Sequence, residues 1–174
     1  MRIISGNHKG RKLIAPKNLP VRPTTDRAKE SLFNILQNRY NISKLKALDL
    51  FSGTGNISYE FASRNANKIT AVDKNIKCTN FINKMSFELD FNIITITSDC
   101  FNYVLNTSDK FDIIFLDPPY NYNKYHEIKD LILEKKIIEN NGCLIIEHDK
   151  RTIFDDKNIE KRKYGNVFFT MFNL

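Results

Sequence analysis

Short apolar runs alternating with amphipathic stretches constrain this chain more than any other feature. LKALDLF (45–51), KITAVD (68–73), IITIT (93–97), FDIIFLD (111–117) and GCLIIEH (142–148) are rich in Ile, Leu and Val, as expected of strands covered on both faces. Candidate helices fill the intervals near 56–65, 76–89, 100–107 and 124–139. Such alternation requires right-handed crossovers and hence a parallel sheet. A further helix is predicted over about 26–39, where Ala28, Leu32, Ile35 and Leu36 recur at helical spacing and Thr25 or Asp26 can cap the start. IEKRKY and VFFTMF flank Gly165-Asn166, the pattern of a two-residue antiparallel hairpin. The fold class is therefore α/β, mostly parallel, with a C-terminal antiparallel hairpin.

A chain of 174 residues suits one domain, able to bury ~70% of its unfolded surface. No stretch approaches the ~18 apolar residues of a membrane span, and the basic start MRIISGNHKGRKL lacks an apolar signal core, so a cytoplasmic protein is expected. Cys78, Cys100 and Cys143 are odd in number and widely spaced, which argues against a disulfide framework or a zinc knuckle. His8, His126 and His148 show no mutual spacing suited to a metal, and none is expected.

The net charge of +7 is concentrated at one end. Residues 1–29 hold eight Lys or Arg against the single acid Asp26, so the remaining residues balance. Interleaved Gly6, Gly10, Pro16, Pro20 and Pro23 suggest a shaped arm that grips a polyanion rather than a merely solvated surface. The chain divides into a basic arm or hairpin, 1–23, and an α/β domain, 24–174.

In parallel sheets, ligands bind beyond the carboxyl ends of the strands. After the first run comes DLFSGTG, Asp49 to Gly55; the second ends in Asp73, the third leads into Ser98-Asp99-Cys100, and the fourth ends in Asp117. The glycines permit a tight turn and close approach of ligand to backbone, and Asp73 is placed to accept from ribose hydroxyls. A nicotinamide dehydrogenase shares the first two features, but Ser58 stands where its third glycine belongs, and the fourth motif then has no purpose.

That fourth motif, DPPY (117–120), suits chemistry on a nucleobase amine, whose lone pair is delocalised into the ring. The Asp117 carboxylate and Pro118 carbonyl can accept its two N–H bonds and aim the lone pair at an electrophile. Proline φ is locked near −65°, which fixes that carbonyl. Tyr120 can stack on the base, a contact worth ~1–3 kcal/mol.

DLFSGTG, the Asp73 strand end, SDC and DPPY, in this order, resemble the Rossmann-like class I methyltransferases that use S-adenosylmethionine. RIISGNHKGRKL and RPTTDRAKESLFNIL (22–36) resemble the RsmD family, bacterial 16S rRNA (guanine-N2)-methyltransferases acting on guanine 966, along essentially the whole chain. The resemblance implies a seven-stranded sheet and S-adenosylmethionine as cofactor. It places Asp49, Phe51, Gly53 and Gly55 at the methionine end, Asp73 at the ribose, Asp99 and Cys100 at the adenine, and Asp117, Pro118 and Tyr120 at the target base. It also implies 16S rRNA within a small-subunit assembly particle as partner; Arg11, Lys12, Arg22 and Arg27 of the basic arm are the candidates to contact its phosphates, and a monomer is expected because nothing in the sequence demands a dimer. The alternatives are a DNA or other amino-methyltransferase and a non-catalytic rRNA-binding assembly factor.

Overall fold

The computed structural model describes residues 1–16, 19, 24–119 and 121–174. The elements are α1 (Asp26–Arg39), β1 (Lys46–Leu50), α2 (Asn56–Ser63), β2 (Lys68–Asp73), α3 (Ile76–Glu88), β3 (Ile93–Thr97), α4 (Cys100–Asn106), β4 (Phe111–Leu116), α5 (Tyr125–Glu134), β5 (Ile138–His148), β6 (Ile159–Tyr164) and β7 (Val167–Asn173). The seven strands run β3-β2-β1-β4-β5-β7-β6. β1 to β5 pair in parallel, and β7 is antiparallel to both β5 and β6. Chain order reverses between β1 and β4, and that gap is where a parallel sheet opens a crevice. No helix among the described residues is long and apolar enough to cross a membrane.

Successive strand residues feed opposite faces. Ala47, Ile113, Phe115 and Ile145 pack with Leu32, Phe33 and Leu36 of α1. Leu48, Ile114, Leu116, Leu144 and Ile146 pack with Val104 of α4 and Ile128 and Ile132 of α5. This double coverage is why the runs of β1, β4 and β5 are largely apolar, whereas β3, at the sheet edge, departs from the expectation and leaves Ile94 exposed. Thr25 caps α1 by accepting from the Ala28 N–H. One boundary departs from the sequence pattern. The helix expected over 124–139 ends at Glu134, and β5 begins at Ile138 rather than 142. Lys136 adopts a left-handed φ of 51°, which turns the chain without a glycine.

The first residues close on themselves through an antiparallel bridge, Arg2 with Lys12. Ile3 and Leu13 are buried in the α1-side core, so this hairpin shares the core of the sheet. Its tip lies on the end of α2: the Asn7 N–H donates to the Ser63 carbonyl at 2.7 Å, and Ser63 Oγ donates to the Ser5 carbonyl at 2.7 Å. At Gly6, φ +85°, an added Cβ would fall 1.9 Å from the Ser63 oxygen, an approach only glycine permits.

Beneath the hairpin lies a buried ionic cluster. Lys29 Nζ pairs with Glu60 at 3.0 Å, both side chains essentially inaccessible, and donates to the Arg2 carbonyl at 2.6 Å and to Asn56 Oδ1 at 2.8 Å. Glu60 also accepts from the Ile4 N–H at 2.7 Å and pairs with Arg64. Burial pulls the Lys29 ammonium below its usual range against the opposing pull of Glu60. Every charge here has a partner, the condition under which buried ions are tolerated.

Candidate active site

A cleft of about 270 Å³ opens between β1 and β4, beyond the carboxyl ends of the strands. The turn after β1 forms one wall. Phe51 and Gly53 have φ of 60° and 52°; a left-handed conformation costs a phenylalanine roughly 1–3 kcal/mol, and such strain concentrates at functional sites. The Ser52 N–H donates to the Val72 carbonyl at 3.0 Å, locking the turn to β2. Phe51 and Gly53 line the cleft. Gly55 stands behind it as the N-terminal cap of α2, φ 83°, where an added Cβ would lie 2.9 Å from Tyr59 and Ile82.

Asp73, at the end of β2, accepts from the Gly53 N–H at 2.8 Å and from the Asn75 N–H at 2.8 Å. A carboxylate offers about four acceptor positions, so capacity remains on the half-buried edge that lines the cleft. Asp49 is buried, accepting from Ser58 Oγ at 2.5 Å and the Ser58 N–H at 3.1 Å. Its position beneath the first turn of α2 suits an anion. Burial nevertheless pushes its pKa up to about 7, with the Ser58 bonds opposing.

Asp99 caps α4, accepting from the N–H groups of Phe101 at 2.9 Å and Asn102 at 3.4 Å. Cys100 is buried, its Sγ 3.7 Å from the Tyr122 hydroxyl, and burial raises the thiol. Both line the cleft.

Asp117 and Pro118 complete the opposite wall. The Asp117 N–H reaches the Leu50 carbonyl at 3.4 Å, extending the β1–β4 ladder by one long bond. Burial first, then the nearby Glu147 and Asp49 charges, hold the Asp117 carboxyl well above the usual carboxylate range. Tyr120 lies outside the described residues. Tyr122 stacks edge-on against Phe51 at 5.1 Å and Tyr125 at 5.4 Å, bracing the segment after the prolines.

The arm residues form a separate group. Arg11, Lys12 and Arg27 are exposed, and the 3.1 Å pair of Arg2 with Asp26 ties the hairpin to the start of α1. None of the three lines the cleft. Arg22 lies outside the described residues. Sequence reasoning missed Thr24, Ser52, Asn56 and Cys78 as cleft residues. Thr24 belongs to the RPTTDRAKESLFNIL block and Ser52 to DLFSGTG, which were the available signals; Asn56 and Cys78 carry none beyond proximity to a strand end.

Comparison with known proteins agrees with this geometry. The family described as conserved hypothetical protein 95 matches residues 1–173. Ribosomal RNA small subunit methyltransferase D of Buchnera aphidicola subsp. Acyrthosiphon pisum is 37% identical over 170 residues, spanning 94% of this chain and 87% of the relative. The protein of that name from Escherichia coli K12 is 30% identical over 161 residues, spanning 92% and 76%. Among solved structures, yhhF from Escherichia coli superposes with a TM-score of 0.87 at 26% identity, over 99% of this chain and 97% of that one. The chain therefore belongs to the conserved hypothetical protein 95 family, the family of ribosomal RNA small subunit methyltransferase D.

Proposed function

We propose that this protein transfers a methyl group from S-adenosylmethionine to the exocyclic N2 amine of a guanine in 16S rRNA, acting in the cytoplasm as a monomer on a partly assembled small subunit. The observation that carries the reading is the placement of Asp117 and Pro118 on the wall of a strand-end cleft facing the Asp73 and Gly53 wall. The cleft fits a sulfonium nucleoside on its own evidence. Asp73 keeps acceptor capacity for a diol, and Ser52 Oγ is buried with no hydrogen-bond partner among the described residues, a polar atom that a ligand in the cleft could satisfy.

Asp73 would hold the ribose hydroxyls, Asp49 and the 51–53 turn the amino acid end, and Cys100, Cys78 and Val72 the adenine. The bound cofactor supplies an electrophilic methyl carbon on a sulfonium. The remaining work falls to the chain. Asp117 and the Pro118 carbonyl accept the two N2–H bonds, which turns the nitrogen lone pair out of conjugation and toward the carbon. Holding the reactants as a near-attack pair contributes roughly 7–11 kcal/mol. The guanine must leave its stack to reach the cleft, and Arg11, Lys12, Arg22 and Arg27 would hold the flanking phosphates.

The test supplies labelled S-adenosylmethionine with small-subunit particles lacking the modification, naked rRNA and duplex DNA, and identifies product nucleosides by mass spectrometry. N2-methylguanosine from the particle is expected. Methyladenine in DNA, or binding without transfer, would overturn the substrate or the activity. Asp117→Asn should abolish transfer in folded protein.

A further inference from the structure

Asp117 has a second carboxylate at its side. The β4–β5 register ends at Leu116 with Ile146, so Asp117 and Glu147 form the next pair across two parallel strands. Side chains alternate along each strand, and both residues follow the face of Phe115 and Ile145, away from that of Leu116 and Ile146. Glu147 is buried, 7% exposed, and Thr24 Oγ1 donates to its Oε2 at 2.7 Å. Thr24 lines the same cleft and is itself held: its carbonyl accepts from Asn56 Nδ2 at 3.1 Å, and Asn56 Oδ1 accepts from Lys29 at 2.8 Å. A sequence of buried bonds thus runs from the N-terminal hairpin to the residue beside Asp117.

We propose that Glu147, oriented by the Thr24 hydroxyl, is a positioning residue whose negative charge makes Asp117 the acceptor both of the target N2–H bond and of the proton that N2 sheds on methylation. Resting on the reading of Asp117 given above, this supplies what a lone carboxylate lacks. Once nitrogen has given its lone pair to the new N–C bond, as the S–C bond breaks and leaves its electron pair on the departing thioether sulfur, one N–H bond must break. Its electron pair stays on nitrogen, and the proton forms an O–H bond on Asp117. An ordinary exposed carboxylate is a weak base for that step, and proton transfer is more effective as the acceptor's proton affinity rises toward neutrality. Like charge at close range in a buried setting produces that rise. Among the described residues, Asp117 is faced by Glu147 from β5, Asp49 from β1, Thr24 ahead of α1 and the phenol of Tyr125 from α5. Thr24 reinforces Glu147: its one hydroxyl proton, donated to Glu147 Oε2, favours the ionised Glu147 whose charge raises the proton affinity of Asp117.

The two supports therefore act with the same sign, Thr24 through Glu147, and a purely architectural role would not move the Asp117 titration. The experiment titrates the cofactor-free full chain, labelled with carboxyl-¹³C aspartate, by NMR, with Asp117→Asn assigning the resonance. Glu147→Gln should lower the Asp117 midpoint by about one pH unit, a tenfold loss of proton affinity. Thr24→Val should lower it by less, and Thr24→Ser should restore it. The acid limb of the methyl-transfer pH profile should move in the same directions, with KM for the particle unchanged. An Asp117 midpoint unmoved by Glu147→Gln, or a Thr24→Val shift that persists unchanged in the Glu147→Gln background, overturns the proposal. Shifts as expected alongside transfer to an acceptor other than guanine would instead overturn the assigned substrate and leave the carboxylate coupling in force.

Discussion

Asp49 offers a test in which the structure dictates both sign and size. Its side chain is 2% exposed, and burial pushes its pKa up to about 7 from an ordinary 3.8. Between those values the folded protein keeps a proton that the unfolded chain has released. Stability is then unaffected by this residue at the acid end, falls as pH rises through the interval, and bears the full penalty above it. At 1.36 kcal/mol per unit, the penalty is about 4 kcal/mol. Asp49→Asn removes the titration and keeps an oxygen for Ser58. Urea unfolding of both proteins, from about pH 4 to about pH 8, should give curves that start close together and diverge with the variant increasingly more stable. Parallel curves would refute the reasoning, because they would mean that Asp49 is as well solvated in the folded state as in the unfolded one.

The ionic cluster gives a second prediction. Lys29→Met leaves the Arg2 carbonyl and Asn56 Oδ1 without their donor and leaves Arg64 as the remaining charged partner of Glu60, so a loss of about 3 kcal/mol is expected in the same unfolding assay. Gly55→Ala meets both a positive φ and a Cβ at 2.9 Å from Tyr59 and Ile82; it should cost about 2 kcal/mol and weaken S-adenosylmethionine binding measured by calorimetry. Arg11→Ala should flatten the dependence of log affinity for single-stranded rRNA on log salt by about 0.7, read by filter binding, and an unchanged slope would return Arg11 to the solvated surface.

Which parts of this architecture were visible beforehand follows from what each residue has to satisfy. β1 to β4 fall within a residue or so of their apolar runs; β1, β2 and β4 are buried along most of their length, and β2 and β4 end where Asp73 and Asp117 meet the cleft. The α5–β5 boundary was hidden: no proline or glycine separates Leu133 from Ile137 and Ile138, and the turn at Lys136 uses a left-handed lysine in place of glycine. Asp99 was legible as a strand-end carboxylate, yet spacing alone could not distinguish a ligand from the helix cap that its geometry displays. Lys29 shows the deeper limit. In the sequence it is one of eight basic residues in a cationic stretch; in the fold it is 1% exposed and committed to Glu60. Glu147 likewise gains meaning only from the register that sets it beside Asp117.

The docking of the first dozen residues onto α2 sets a geometric rule. Because Ile3 and Leu13 are sunk in the shared core and Lys29 clamps the backbone at Arg2, Arg11 and Lys12 stand at a constant offset from the cleft. Under the proposed function, a strand held by Arg11 and Lys12 would be measured as by a fixed gauge, and the nucleotide presented for modification would be chosen by its distance along the substrate as much as by its own edges.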